Sequence, residues 1–398
     1  MFKIRLTGDT IDKEDIDAVC KWLQTQPQLT KGQETEEFEK EWAQYFNRKY
    51  AVFVNSGSSA NLLMYAAAKE WGKQQGYNWT NRAVVQAMGW ATTLSPAIQL
   101  GYDVSLCDVN SIDWTIDTWQ LRAILEKRRA DVVTIVHTLG IPCCMANLMR
   151  VKEDYPFMLL EDCCSSYGST TDGAKVGTFG DMSSFSLYYA HVLSSIEGGI
   201  VCTDREDLYE LLLMLRSHGW ARDIDENREE QLAKDWDRTG LNRMFTFYVP
   251  GYNVRSTDLQ AFIGRRQLKK FDRFIRDRDF IHKEYIRQAN DDLTGITGVS
   301  SQYYNEEDTI CSISLGIQFD SSTIRDKVAQ ALFSAGVEIR PIGGGSLGRQ
   351  PFWIKYNGTP TELPVADELH DTTLLVPNHP FMTSSDVSYI IKVIRDTL

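Results

Sequence analysis

No stretch of this sequence is apolar for long enough to cross a bilayer. Its first residues, Met1 to Asp9, hold neither the apolar core nor the small-residue cleavage site of a secretory leader. A C-x-x-C pair is missing among the eight cysteines, and no cysteine falls between Cys202 and Cys311. That pattern speaks against a zinc site and a secreted disulfide framework. Basic charge is in deficit, with 42 Lys+Arg against 54 Asp+Glu and a formal net charge of -12. Neither nucleic acid nor an anionic membrane is therefore expected as a general partner, although a local phosphate pocket stays open. Internal repeats and low-complexity tracts are also missing. These absences point to a cytoplasmic globular protein with reduced thiols.

What remains is ordinary globular composition, 43% hydrophobic and 24% charged over 398 residues, enough for two or three domain-sized units. Short apolar runs near 51–54, 83–88, 104–108, 132–136, 157–160, 185–189 and 200–202 read as strands. Helical periodicity falls at 12–24, 34–46, 119–128 and 205–216. Strands alternating with helices predict an α/β fold with a mostly parallel sheet. Phe38, Trp42 and Phe46 line one helix face and read as core. The charged stretch 222–240 reads as a solvated excursion or a mobile loop near the site. A long basic amphipathic helix at 265–290 leads to a second set of signals. These are strands near 310–315, 337–341 and 374–376, and helices at 322–335 and 385–397. The expected division is a large domain, 1–264, and a connecting helix with a small α/β domain, 265–398.

Several residues carry candidate chemistry. Asn55-Ser56-Gly57-Ser58-Ser59 joins a strand to a helix start. Such a turn is either a plain N-cap or an anion site built on free N–H groups and the helix dipole. Glu161 and Asp162 end a buried strand, where ligands of open α/β sheets gather. Trp90 ends another strand and reads as core or as a wall of a site. His137 reads as a structural neighbour of the site. His218 follows a helix and reads as a C-terminal cap or as a site residue. Arg340, before the turn Gly343-Gly344-Gly345, reads on its own as a surface residue.

Four segments, 55–61, 161–168, 185–199 and 251–261, resemble the sugar aminotransferase/dehydratase family of fold-type I pyridoxal-phosphate (PLP) enzymes, the DegT/StrS group. The resemblance implies an aspartate-aminotransferase-like large domain with a smaller C-terminal α/β domain. It implies that Asp162 pairs with the pyridine nitrogen, which a buried carboxylate keeps cationic. Trp90 would stack on the ring, and Gly57, Ser58, Ser59 and Ser186 would hold the phosphate. Ser165 stands where the family often has a glutamine directed at the ring hydroxyl. Asn253, in Gly251-Tyr252-Asn253, would reach the phosphate of a neighbouring subunit, which implies a homodimer with shared sites. His218 would be a second active-site histidine, Arg340 a substrate anion contact, and no metal is implied.

His191 occupies the position of the family's Schiff-base lysine. This is similar to the histidine-bearing branch of 3-dehydratases that act on GDP-4-keto-6-deoxymannose. The implied activity is deoxygenation at C-3 of a 4-keto-6-deoxy nucleotide sugar in deoxysugar or O-antigen biosynthesis. The cofactor would be held without a covalent link, work as its amine form (PMP), and take its amino group from glutamate. A nucleotide-sugar aminotransferase, the alternative, needs a lysine. The nearest in sequence, Lys175, lies in an expected exposed hairpin turn. A non-catalytic scaffold would have no reason to keep Asp162, Ser186, Trp90 and Asn253 together.

Overall fold

The computed structural model describes residues 2–74, 79–292 and 298–398. Seven strands form the main sheet: β1 (Tyr50–Val54), β2 (Arg82–Gln86), β3 (Asp103–Cys107), β4 (Val132–Val136), β5 (Met158–Asp162), β8 (Met182–Ser186) and β9 (Gly199–Thr203). A small hairpin, β6 (Thr170–Thr171) and β7 (Ala174–Lys175), sits between β5 and β8. The sheet order is β1-β9-β8-β5-β4-β2-β3. β3, β2, β4, β5 and β8 pair in parallel, and β9 runs antiparallel to both its neighbours. Every residue of β4, β5, β8 and β9 is buried. Strands covered on both faces read as continuous apolar runs, which is how they show in the sequence. Because β1 runs in the same direction as β8, Val54, Gln86, Val136, Asp162 and Ser186 all end at one edge. The loops that carry the candidate residues gather there.

A second, antiparallel sheet has the order β10-β11-β13-β12: β10 (Val299–Ser301), β11 (Ser314–Phe319), β13 (Thr373–Pro377) and β12 (Arg340–Pro341). Ile281 and Tyr285 of helix Phe271–Asp292 pack into its core with Leu315, Ile317, Val376 and Ile390. Phe38, Trp42 and Phe46 are fully buried in an aromatic cluster with Tyr167, Phe185 and Phe271.

Some sequence expectations shift. The long helix at 265–290 is two helices, Asp258–Leu268 and Phe271–Asp292. At the break Lys270 reaches Asp12 and Asp15, and Phe271 turns into the aromatic cluster. The expected division after residue 264 thus falls inside the first of these helices. The strand expected at 310–315 starts at Ser314. Before it, the N–H groups of Ile310 and Cys311 bond to Asp279 Oδ1 and Ser169 Oγ instead of a strand partner. The strand expected at 337–341 shrinks to Arg340–Pro341, with Val337 bridging Ile4. Residues 222–240 contain a capped helix, Glu226–Asp235, rather than a bare excursion. Helices Met145–Asp154, Pro351–Asn357 and Pro364–Thr372 were not expected from the sequence.

Candidate active site

Side chains alternate along a strand, so Glu161 and Asp162 at the end of β5 face opposite ways. Asp162 is 4% exposed. Its Oδ2 accepts from Asn61 Nδ2 at 2.9 Å and from Thr93 Oγ1 at 2.6 Å, and its Oδ1 accepts from Cys164 N at 3.1 Å. Asn61 is itself fixed by Ser184 Oγ, which donates to its Oδ1 at 2.6 Å. The carboxylate is therefore aimed by three elements rather than by its own rotamer.

Glu161 braces the other side. Its carboxylate accepts from the N–H groups of Gly177, Phe179 and Gly180 and from His137 Nε2 at 3.1 Å. Burial alone would push this carboxyl up, but the His137 bond and the backbone N–H groups outweigh it and hold it below its usual range. Cys143 N donates to His137 Nδ1 at 3.0 Å, so the ring proton sits on Nε2. His137, Glu161 and Cys163 could in principle offer a metal three ligand atoms. The histidine and carboxylate lone pairs are already taken by N–H donors, which makes the cluster a structural brace.

Helix Gly57–Gln74 rises directly from the end of β1. A Cβ on Gly57 would lie 2.6 Å from Ser186 Cβ and 3.0 Å from Cys164 Sγ, so only glycine lets this turn close on β8. Ser56 Oγ accepts from Ser59 N at 3.1 Å, and Ser58 Oγ lies 2.9 Å from Thr92 Oγ1. Ser186 ends β8 beside the turn and is 7% exposed. Helix-start N–H groups and hydroxyls thus converge on one small cradle suited to a phosphate. Trp90 stands at the start of helix Ala91–Gln99 and is 62% exposed. The next two hydroxyls of that helix reach Ser58 and Asp162, which ties the indole to both the cradle and the carboxylate.

His191 lies half-buried in the loop between β8 and β9. Its Nδ1 donates to the carbonyl of Cys164, and its own N–H bonds Tyr188 O at 2.9 Å. Burial pushes the imidazole below its ordinary value; the Cys164 carbonyl and Asp162 oppose that, and Arg278 adds to it. The ring is neutral near pH 7, with its Nε2 lone pair unused by Cys164. Ser165 follows Cys164 in the turn and is half-buried. Arg340 is exposed, and its charge acts on Tyr188 of the His191 loop. Gly344, at φ +72°, brings the turn after β12 against Gly89, where a Cβ would come 1.8 Å from the carbonyl oxygen. The second sheet therefore abuts the Trp90 wall. His218 (φ +65°) and Asn253 are both exposed; Ser217 bridges Asn253, and the carbonyl of the next residue, Val254, accepts from Asn55 N at 3.0 Å beside the serine turn. Lys175 is not an exposed turn residue: it is half-buried over the Tyr45 ring and donates to Tyr45 O, away from His191.

Residues 9–395 match the DegT/DnrJ/EryC1/StrS aminotransferase family. The chain belongs to this family. It is 32% identical to GDP-4-keto-6-deoxy-D-mannose 3-dehydratase of Yersinia pseudotuberculosis, over 99% of both chains. Among solved structures it superimposes on a mutant of GDP-4-keto-6-deoxymannose-3-dehydratase (ColD) with bound GDP-perosamine, with a TM-score of 0.87 at 29% identity over 98% of this chain and 100% of the other. The same enzyme with a trapped PLP-glutamate geminal diamine gives 0.86 at 30% identity, again over 98% and 100%. The mixed α/β architecture is the fold-type I architecture of these DegT/StrS proteins. Within that family frame, three contributors escaped the sequence reading: Asn61, Thr93 and the carbonyl of Cys164. Thr93 carried a weak signal, a buried hydroxyl three residues after Trp90. Asn61 lay within the serine-turn segment but had no visible partner.

Proposed function

We propose that this chain removes the C-3 hydroxyl of a 4-keto-6-deoxy nucleotide sugar, a GDP-hexose, using PLP/PMP with glutamate as amino donor. The observation that carries this reading is His191, a neutral base bound through Nδ1, at the position where transamination needs a lysine. The residues suit the cofactor on this chain's own geometry: a glycine-closed serine turn at a helix start, a buried strand-end carboxylate, and an exposed indole on the helix whose hydroxyls reach both.

When bound, the cofactor ring stores the electron pair released as a C–H bond breaks and supplies it as the hydroxyl departs. Asp162 would hold the ring nitrogen as the cation, and Thr93 and Asn61 keep that carboxylate aimed. Gly57, Ser58, Ser59 and Ser186 would hold the phosphate, Ser165 would approach the ring hydroxyl, and Trp90 would cover one ring face. His191 accepts a proton at Nε2 and hands it on to the departing hydroxyl. Arg340, at the rim of the His191 loop, would meet an anionic group of the nucleotide sugar. The net change balances: the sugar loses one oxygen, and glutamate becomes 2-oxoglutarate and ammonia.

We further propose a homodimer. Asn253 and His218, exposed on their own chain, would complete the site of a partner subunit. The large and small units would meet along helix Phe271–Asp292. The aminotransferase reading has no lysine to use, since Lys175 is engaged at Tyr45. Incubation with PLP, glutamate and GDP-4-keto-6-deoxymannose decides between them. A product one oxygen lighter, with ammonia released, is expected; a stable 4-amino sugar without ammonia overturns the dehydratase reading.

A further inference from the structure

Arg278 is 2% exposed on helix Phe271–Asp292. Among the described residues, no carboxylate lies within ion-pair distance of it. Its hydrogen-bond partners are carbonyl oxygens from three separate segments. Nη2 donates to His191 O at 3.1 Å, and Nη1 donates to Ser312 O at 3.0 Å and to Asn378 O at 2.5 Å. Asn378 returns the contact, donating through Nδ2 to Arg278 O at 3.2 Å and to Ser312 Oγ at 2.7 Å. A buried guanidinium without a counter-charge is unfavourable in a protein interior, and burial pushes this one down. Its planar fork suits it to collecting several carbonyls at fixed angles. Ser312 precedes β11 and Asn378 follows β13, so both belong to the second sheet, whereas His191 belongs to the loop of the first.

The same loop is held at a second point. The Tyr167 hydroxyl accepts from Leu193 N and donates to Leu193 O, each at 3.1 Å. Together with the Cys164 carbonyl at Nδ1, the loop has its backbone held at His191 and Leu193 and its ring fixed at one nitrogen.

We infer that Arg278 is the positioning residue of the proton-transfer step: by gripping the His191 carbonyl it keeps the imidazole against Cys164 O as the Nδ1–H tautomer, with Nε2 as the base, and links that placement to the docking of the second sheet. The inference rests on the dehydratase reading of the site and adds to it a residue that touches neither cofactor nor substrate. The groups that bear on the imidazole are Asp162 from β5, the Cys164 carbonyl from the turn after it, Tyr188 from the same loop and Arg278 from the long helix. Asp162 favours the imidazolium and Arg278 disfavours it. The guanidinium thus has an electrostatic part beside its geometric one, and the two can be separated.

The test uses the PLP-loaded protein labelled with 15N at its six histidines, with the His191 signals assigned by their loss in His191→Gln. The wild type is expected to show the Nδ1–H tautomer. In Arg278→Gln the imidazolium should form at higher pH, the acid limb of kcat/KM should move up with it, and kcat should fall by about 100-fold with little change in KM. Arg278→Lys keeps the charge but cannot span the three carbonyls, so the titration should stay at the wild-type pH while kcat remains reduced. A wild-type Nε2–H tautomer, or an Arg278→Gln enzyme with unchanged kcat and pH profile, overturns the inference. If Arg278→Gln does not fold, the wild-type tautomer and the Arg278→Lys titration decide it. Absence of C-3 deoxygenation in the wild type would instead overturn the functional reading, and the tautomer measurement would still judge Arg278.

Discussion

The hydroxyl of Thr93 donates to Oδ2 of Asp162 at 2.6 Å, joining the helix that begins at Trp90 to the carboxylate at the end of β5. One short helix start thereby fixes Trp90 and the Asp162 carboxylate relative to each other.

Thr93→Val keeps the shape of the side chain and removes its donor. Asp162 Oδ2 then retains only Asn61 as a side-chain partner. The loss of one hydrogen bond to a buried charge amounts to about 1–3 kcal/mol, and PLP affinity should fall roughly fivefold or more. Absorbance titration with PLP checks this, and unchanged affinity would show that Asn61 and Cys164 N suffice to aim the carboxylate.

Glu161→Gln should destabilise the fold without touching the cofactor. The glutamine cannot serve three backbone N–H donors and His137 as the carboxylate does, a loss of about 2–3 kcal/mol at pH 7. The folded-state pKa of Glu161 is held below its usual 4.5. Its contribution is therefore fully present above pH 4.5 and disappears as the pH falls through the depressed folded value. Urea unfolding of both proteins across pH should show a stability gap that is constant near neutrality and closes in acid.

Asn253→Ala tests the shared site. If Asn253 serves the partner's phosphate, its loss should weaken PLP binding by about 1–3 kcal/mol while leaving the dimer intact in sedimentation. An active wild-type monomer at assay concentration would contradict the shared-site reading.

The parts of the candidate site readable in the sequence were those set by neighbouring residues. The serine turn after β1, Asp162 at a strand end and Trp90 at a helix start each follow from a few consecutive positions. What escaped depends on partners distant in sequence: Thr93 and Asn61 lie 69 and 101 residues from Asp162, and Arg278 lies 87 residues from His191. No local pattern encodes such pairings. The fold errors have a similar origin. Residues 310–313 look like a strand because they are apolar, but side chains of Asp279 and Ser169 take up their backbone donors.

The contact of Gly344 with the Gly89 carbonyl bears on how this scaffold could be re-engineered. A side chain at 344 would meet main-chain oxygen and would also need a backbone conformation at φ +72° that L-residues seldom adopt. Libraries seeking a different sugar or nucleotide would waste every variant at that position. Diversity is better placed at exposed side chains of the neighbouring segments, Tyr188 and Arg340. That glycine is a fixed point of the backbone, and substrate choice would be tuned on those two side chains.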